Sequence, residues 1–271
     1  MIEARSLHKR FGRLTAVEEV SFRAEDGVVT GLLGPNGAGK TTTLRMLTTL
    51  IQPDSGTALV DGHDVVREPM EVRRRLGVLP DARGLYPRLT TREHARYAGE
   101  LHGIPKDKLE RRIDELVLEL DLAAIADRRT EGFSSGERVK VALARALVHE
   151  PRNVLLDEPT NGLDVLATRA VRELIRKLKG QNKCVVFSSH VMQEVSALCD
   201  RIVVVARGRV VADGTPDELR TRAGTSSLEE AFVSIIGSGQ GLIGSDDGAA
   251  PDDAGAAPSA RGAASDDERA R

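Results

Sequence analysis

Gly34-Pro35-Asn36-Gly37-Ala38-Gly39-Lys40-Thr41 decides the fold class of this chain, because it satisfies the pattern GxxxxGK[ST] between a strand-like run and a helix-like run. Val28 to Leu33 is apolar enough for a buried strand, and Leu44, Met46, Leu47 and Leu50 have the spacing of a helix packed on a sheet. A loop between two such elements can curl its backbone N–H groups around a phosphate chain. Glycines allow the torsions and close approaches that side chains block, and the helix N-terminus adds its partial positive charge. In such a loop Lys40 reaches the β- and γ-phosphates, Thr41 places its hydroxyl on Mg²⁺, and Thr42 touches a phosphate nearer the ribose. The bland alternative is a glycine-rich turn that happens to precede a helix.

Working outward, Ile2 to Leu7, Val17 to Phe22, the strand entering the phosphate loop and Thr57 to Val60 read as strands of a small antiparallel sheet, the last closing on an Asp61-Gly62 turn. Arg67 to Arg75 reads as a short basic helix and Leu76 to Pro80 as a strand. From Leu89 to Ile125 the pattern is helical: Gly103-Ile104-Pro105 breaks one helix, and Leu109, Ile113, Leu116, Val117 and Leu120 line the next. Residues 89–132 are therefore a candidate helical subdomain inserted into an α/β core. Beyond them a helix (Ser135 to Val148), a strand (Val154 to Leu156), a helix (Val165 to Leu178), a strand (Cys184 to Phe187) and a helix (Val191 to Leu198) alternate, which predicts a parallel sheet with helical crossovers.

The length of 271 residues suits one large or two small domains. No run approaches the roughly 20 apolar residues of a bilayer crossing, and the N-terminus lacks a basic-then-apolar secretory pattern, so a cytoplasmic protein is expected. Cys184 and Cys199 fall in strand-like and helix-like segments without metal-ligand spacing, the pattern of two reduced, partly buried thiols. Net charge is −2, yet residues 237–271 hold seven acids against three arginines, which leaves the preceding residues near +2. Neither value gives the strong basic patch of a nucleic-acid binder. The segment 237–271 is Gly, Ala, Ser, Asp and Pro with almost no apolar bulk, so a disordered acidic tail is expected after a domain spanning 1–236.

Val154-Leu155-Leu156-Asp157-Glu158 is an apolar strand ending in two acids. A carboxylate at a strand's C-terminal edge beside a phosphate loop is where a Mg²⁺ shell needs charge; Asp157 then holds the metal and Glu158 polarises the attacking water as general base. Without the phosphate loop, two acids capping a surface strand would be the competing reading. Phe133-Ser134-Ser135-Gly136-Glu137 is a second Ser/Gly-rich helix start. The order phosphate loop, helical block, Ser-Ser-Gly-Glu, Asp157-Glu158, Asn161-Gly162-Leu163-Asp164 and His190, over about Ile2 to Phe232, resembles the nucleotide-binding subunit of ABC transporters.

That resemblance implies a P-loop NTPase core with a parallel sheet, an N-terminal antiparallel β-subdomain and an inserted α-helical subdomain. It implies ATP as substrate and Mg²⁺ as cofactor. It also implies two subunits, alike or different, facing head to tail, with Ser134, Ser135 and Gly136 of one contacting the γ-phosphate held by the other. Ser134 can equally serve as an N-cap. Asp164 falls at the expected dimer seam, His190 matches a switch histidine that touches the γ-phosphate, and Phe11 matches an aromatic that stacks on adenine. The signature departs from Leu-Ser-Gly-Gly-Gln at Phe133, Ser135 and Glu137, and Asp81 stands where a glutamine normally faces Mg²⁺ and the attacking water, so Asp81 acts through an intervening water.

The stretch Pro80-Asp81-Ala82-Arg83-Gly84-Leu85-Tyr86-Pro87-Arg88-Leu89-Thr90 is similar to subunits of the sodium-export type that pair with ABC-2 permeases. The resemblance thus implies a separately encoded permease holding the chain at the inner face of the membrane; Leu85, Tyr86 and Leu89, just after Asp81 in a proline- and glycine-flanked segment, are expected to line a groove for a short helix of it. Other classes lack their marks: there is no Asn-Lys-x-Asp guanine reader, no long heptad insertion of a chromosome-maintenance ATPase, and one phosphate loop where translation-type ABC ATPases carry two. A non-enzymatic interaction module would not need Lys40, Asp157 and Glu158 together.

Overall fold

The computed structural model describes residues 1–82 and 84–239. A hairpin of β1 (Ile2–Phe11) and β2 (Leu14–Ala24) opens the chain, turning at Gly12 with φ of 56°. β3 (Val29–Leu33) has all five residues buried and leads through the glycine-rich loop into α1 (Lys40–Leu47). β4 (Ser55–Val60), β5 (His63–Asp64), α2 (Pro69–Arg75) and β6 (Leu76–Leu79) follow. Next come α3 (Thr91–Leu101), α4 (Lys106–Glu119), a 3-10 turn at Ala123–Ile125 and α5 (Ser135–Leu147). β7 (Asn153–Asp157), α6 (Val165–Gly180), β8 (Cys184–Ser189), α7 (Met192–Leu198), β9 (Arg201–Ala206), β10 (Arg209–Gly214), α8 (Pro216–Ala223) and α9 (Leu228–Gly239) complete the described chain.

The strands form one ten-stranded sheet in the order β5-β4-β1-β2-β10-β9-β3-β8-β7-β6. β9, β3, β8, β7 and β6 run parallel, and β3, expected among the antiparallel strands, belongs here because it pairs with β8 and β9. Their near-continuous apolar sequences are those of strands covered on both faces. The strands β1, β2, β4 and β5 are antiparallel as expected, but they are not a separate sheet: β2 joins β10 at Arg209↔Glu19, beside an Arg209–Glu18 ion pair. Along β3, β7, β8 and β9 the side chains alternate between two apolar clusters. Leu33, Val154 and Leu156 face the cluster that holds Ile113, Leu143 and Ile175, while Leu32 and Leu155 face that of Met46 and Leu47.

Between α3 and α4 the chain breaks at Gly103 (φ 72°), whose open torsion ends the first helix, and Pro105 starts the second. α3 is opened by a capping box, with the Thr90 hydroxyl accepting from the Glu93 N–H and the Glu93 carboxylate accepting from the Thr90 N–H. The range expected for the helical subdomain holds α3, α4 and the 3-10 turn; both helices pack on α5, and Leu109, Ile113 and Leu116 are buried in the cluster that also holds Val139 and Leu143. α9 runs three residues past the expected domain end at 236. The rest of the expected tail, residues 240–271, lies outside the described residues. Among the described residues no helix is long and apolar enough to cross a membrane.

Candidate functional site

The loop after β3 is shaped by close backbone approaches. A Cβ on Gly34 would lie 2.2 Å from the Val205 carbonyl oxygen, and one on Gly39, at φ +104°, would lie 2.5 Å from that of Ala16. Only glycine fits either place. Ala38 accepts a 2.9 Å hydrogen bond from the Gly208 N–H, tying the loop to the turn before β10. Lys40, the first residue of α1, is 6% exposed, and its Nζ donates to the carbonyls of Gly34 (2.7 Å) and Pro35 (3.2 Å). α1 has no side-chain cap, so its N-terminal donors and dipole face the loop without a competing protein acceptor.

β7 delivers the two acids to the same place, because its register sets Asp157 opposite Ser188 of β8, and β8 pairs in turn with β3. Asp157 Oδ1 accepts from the hydroxyls of Ser188 (2.6 Å) and Thr41 (3.2 Å). Glu158 follows with φ +46°, in the left-handed region, and its N–H donates to Ser188 Oγ at 3.0 Å. Its carboxylate lies 2.9 Å from His190 Nδ1 and 3.6 Å from Lys40 Nζ. A carboxylate only accepts, so Nδ1 carries the proton in this contact and Nε2 is left as the other ring nitrogen.

Around these groups is a cleft of about 390 Å³ lined by Asn36 to Thr42, Asp81, Glu158, Asn161 and His190, with Leu14, Thr15 and Ala16 forming a further wall. The phosphate loop, Asp81, Glu158 and His190, drawn from four separate stretches of sequence, therefore meet in one cleft. Its walls fit a nucleotide: an uncapped helix end and a buried ammonium stand where a polyphosphate would lie. Among the described residues no group of three or more His, Cys, Asp or Glu could cage a metal. The Thr41 hydroxyl and the Asp157 carboxylate, touching each other, instead match the sparse protein donor set of Mg²⁺, which takes most of its shell from waters and phosphates.

Other expected residues sit elsewhere. Phe11 is half exposed at the hairpin end, paired with Leu14 and with Lys9 Nζ 5.7 Å from its ring centre; the cleft wall itself is Leu14 to Ala16. Ser134 caps α5 in a capping box with Glu137, and Ser134 and Ser135 are exposed, away from this chain's own cleft. Asp164 caps α6 by accepting from the Ala167 N–H at 2.8 Å, and a Cβ on Gly136 would lie 3.0 Å from that of Ala167, so the starts of α5 and α6 touch.

Leu85, Tyr86 and Leu89, expected to line a groove, lie between β6 and α3, with Leu85 and Leu89 partly buried. Leu85 packs against the core, and Tyr86 is exposed with its ring against His94 and edge-on to Tyr97. The neighbouring hollow, about 410 Å³, is lined by Leu50, Leu76, Val78, Ala98, Leu101, His102, Arg145 and His149 among others. Cys184 and Cys199 are both buried, and burial pushes the Cys184 thiol up to about 12. Sequence reasoning gave no role to Asn161, Ser188 or Leu14 to Ala16. Asn161 stood in a quoted motif, whereas Ser188 is placed by strand register, which no local pattern encodes.

A family model described as ABC transporter matches residues 17–161, more than half of the chain. The chain belongs to the ABC transporter family. As an ATP-binding subunit of that family it is an ATPase. It is 44% identical over 220 residues to the ABC transporter ATP-binding protein NatA of Bacillus subtilis (strain 168), covering 81% of this chain and 89% of NatA. Among solved structures it is similar to an ATP-binding subunit of an ABC transporter, with TM-score 0.80, 32% identity and coverage of 87% of this chain and 99% of the other. It also resembles the dimeric structure of MJ0796, a bacterial ABC transporter cassette, with TM-score 0.73, 25% identity and coverage of 79% and 98%. This family member thus keeps the mixed α/β cassette fold throughout its described residues.

Proposed function

We propose that this ABC ATPase powers export through a separately encoded ABC-2-type permease, hydrolysing Mg²⁺-ATP between two subunits held head to tail at the inner face of the cell membrane. The observation that carries the reading is the Glu158 carboxylate, 2.9 Å from His190 and 3.6 Å from Lys40 on the wall of the phosphate-loop cleft. Lys40 leaves its loop carbonyls for the β- and γ-phosphates, and the α1 N-terminus supplies further donors. Glu158, released from Lys40, takes the proton of the attacking water. His190 fixes the Glu158 carboxylate through Nδ1 and turns Nε2 toward the γ-phosphate. Thr41 and Asp157 would hold Mg²⁺, which neutralises charge on the β- and γ-oxygens. Asp81 faces the same cleft and acts through a water.

Ser134 and Ser135, exposed at the start of α5, and the partly exposed Gly136 are available to a second subunit's γ-phosphate, and Asp164 beside them lies at the seam. The dimeric relative supports that pairing. Closure on ATP drives transport, and hydrolysis reopens the dimer. The permease selects the cargo, a sodium ion on the likeness of residues 80–90 to sodium-export subunits, or a drug. The test is to tag the full chain in its native membrane, identify the integral membrane protein that co-purifies, and measure ATP-dependent transport by the pair in inverted vesicles. Recovery of a membrane-free complex with no permease would overturn the export reading and favour a soluble, non-transport ABC-type ATPase.

A further inference from the structure

We propose that Ser188 is a positioning residue for hydrolysis, a buried hydroxyl that sets the Asp157 carboxylate and the Glu158 backbone together. The proposal rests on the roles given above to Asp157 and Glu158. Ser188 lies on β8 with Leu32 of β3 on one side and Asp157 of β7 on the other, and it is fully buried. Everything before it on that strand, Cys184 to Phe187, is apolar, so a hydroxyl here must find partners within the protein. Its partners assign its one proton. The Glu158 N–H can only donate, so Ser188 Oγ accepts that bond (3.0 Å), and the hydroxyl proton goes to Asp157 Oδ1 (2.6 Å).

Two consequences meet at the site. Asp157 Oδ1 receives Ser188 from the sheet side and Thr41 from α1, which holds the carboxylate between the strand and the phosphate-loop helix. Glu158 holds φ +46°, a conformation that side-chain-bearing residues rarely adopt, and the captured N–H keeps its backbone there. With that torsion the side chain meets His190 and Lys40. Loosened from it, the carboxylate has other places to go and water is activated less often. The next residue behaves differently: Ser189 donates to Glu194 Oε2 at 3.1 Å and accepts from the Val191 N–H at 3.0 Å, serving the loop that carries His190.

The experiment uses the full chain with Ser188→Ala and the isosteric pair Ser188→Thr and Ser188→Val, which share shape and differ by the hydroxyl. Loss of such an outer hydrogen bond is expected to lower kcat about 10–100-fold in the Ala and Val variants. KM for ATP should stay within about twofold, the sign of an effect on the chemical step and not on ground-state binding. Ser188→Thr should recover most of the loss relative to Val. In nucleotide-free protein, exchange of the Glu158 amide proton measured by NMR should quicken in Ala and Val and not in Thr. Wild-type kcat in Ser188→Ala, or equal kcat and equal amide exchange in Thr and Val, overturns the proposal. Glu158→Gln separates the two levels: wild-type turnover there removes the general base itself, whereas its loss beside a fast Ser188→Ala removes only the positioning role.

Discussion

His190 Nδ1 lies 2.9 Å from Glu158 Oε2, joining the loop after β8 to the end of β7. The other carboxylate oxygen lies 3.6 Å from Lys40, whose ammonium also binds two carbonyls of its own loop. One carboxylate therefore links Lys40 of the glycine-rich loop to His190.

Lys40→Ala is expected to weaken ATP binding at least tenfold and to abolish turnover, because the buried ammonium of the glycine-rich loop is lost and no other lysine lines the cleft. Calorimetric titration with ATP and a phosphate-release assay measure both. Unchanged affinity and turnover would remove the phosphate-loop assignment. Phe11→Ala should have a milder effect on affinity, as Leu14 to Ala16 remain as a wall.

Most of this site could be read from sequence because its parts are local. The phosphate loop needs its glycines at fixed offsets, and β7 announces itself as apolar residues ending in Asp157-Glu158. The helix break at Gly103 to Pro105 is likewise written in three residues. What sequence did not show depends on register or on edges. Ser188 is one serine among many until β7 and β8 are paired. The junction of β2 with β10 rests on Glu19 meeting Arg209, residues 190 positions apart in ordinary surface-like segments. The hollow walled by Leu50, Leu76, Ala98, Leu101 and His149 was not legible for a similar reason, because its walls come from separate elements, α3, α5, β6 and the segment after α1.

His149 gives the protein an acid-sensitive element. Its ring stacks on His102 at 3.6 Å and its Nε2–H donates to the Leu76 carbonyl at 3.0 Å. Burial, and next the charge His102 would carry, push its pKa down from 6.5 to about 4. The unfolded chain therefore takes up this proton first as pH falls. Stability from this residue is complete above pH 6.5 and is lost between there and pH 4, amounting to about 2 kcal/mol at pH 5, or a Tm drop of about 4–8 °C from neutral pH. His149→Gln, which keeps a donor for Leu76, should flatten that part of the Tm-against-pH curve. An unchanged slope in the variant would show that other groups carry it.

The hollow beside His102 and His149 has Leu50 and Leu101 exposed at its rim, at 65% and 72%, with no acidic residue in its lining. A permease helix presenting an apolar face and a carboxylate would suit it. Leu101→Glu is expected to reduce co-purification with the permease at least tenfold while leaving ATP affinity of the isolated subunit unchanged. Tyr86→Asp should also impair assembly, because Tyr86 shares an aromatic cluster with Tyr97 on the same helix face as Leu101. Full complex recovery and transport in both variants would place the permease elsewhere.

Glu158→Gln tests hydrolysis and pairing in one molecule. The amide keeps the size of the side chain and can still meet His190, but it has neither charge nor basicity. Lys40, freed of its 3.6 Å carboxylate neighbour, remains available to ATP, so binding should persist while turnover falls at least a hundredfold. ATP then stays between Lys40 of one subunit and Ser134 of the other, and a closed dimer should accumulate. Sizing chromatography in Mg²⁺-ATP would show the shift from monomer to dimer, absent with ADP. The added change Ser134→Arg should reverse it: Ser134 is exposed at the α5 N-terminus, so bulk there blocks the trans contact and costs this subunit only its capping box. Wild-type turnover in Glu158→Gln would exclude Glu158 as the base. Lost turnover in a chain that stays monomeric at saturating ATP would mean that the head-to-tail pair forms only on the permease.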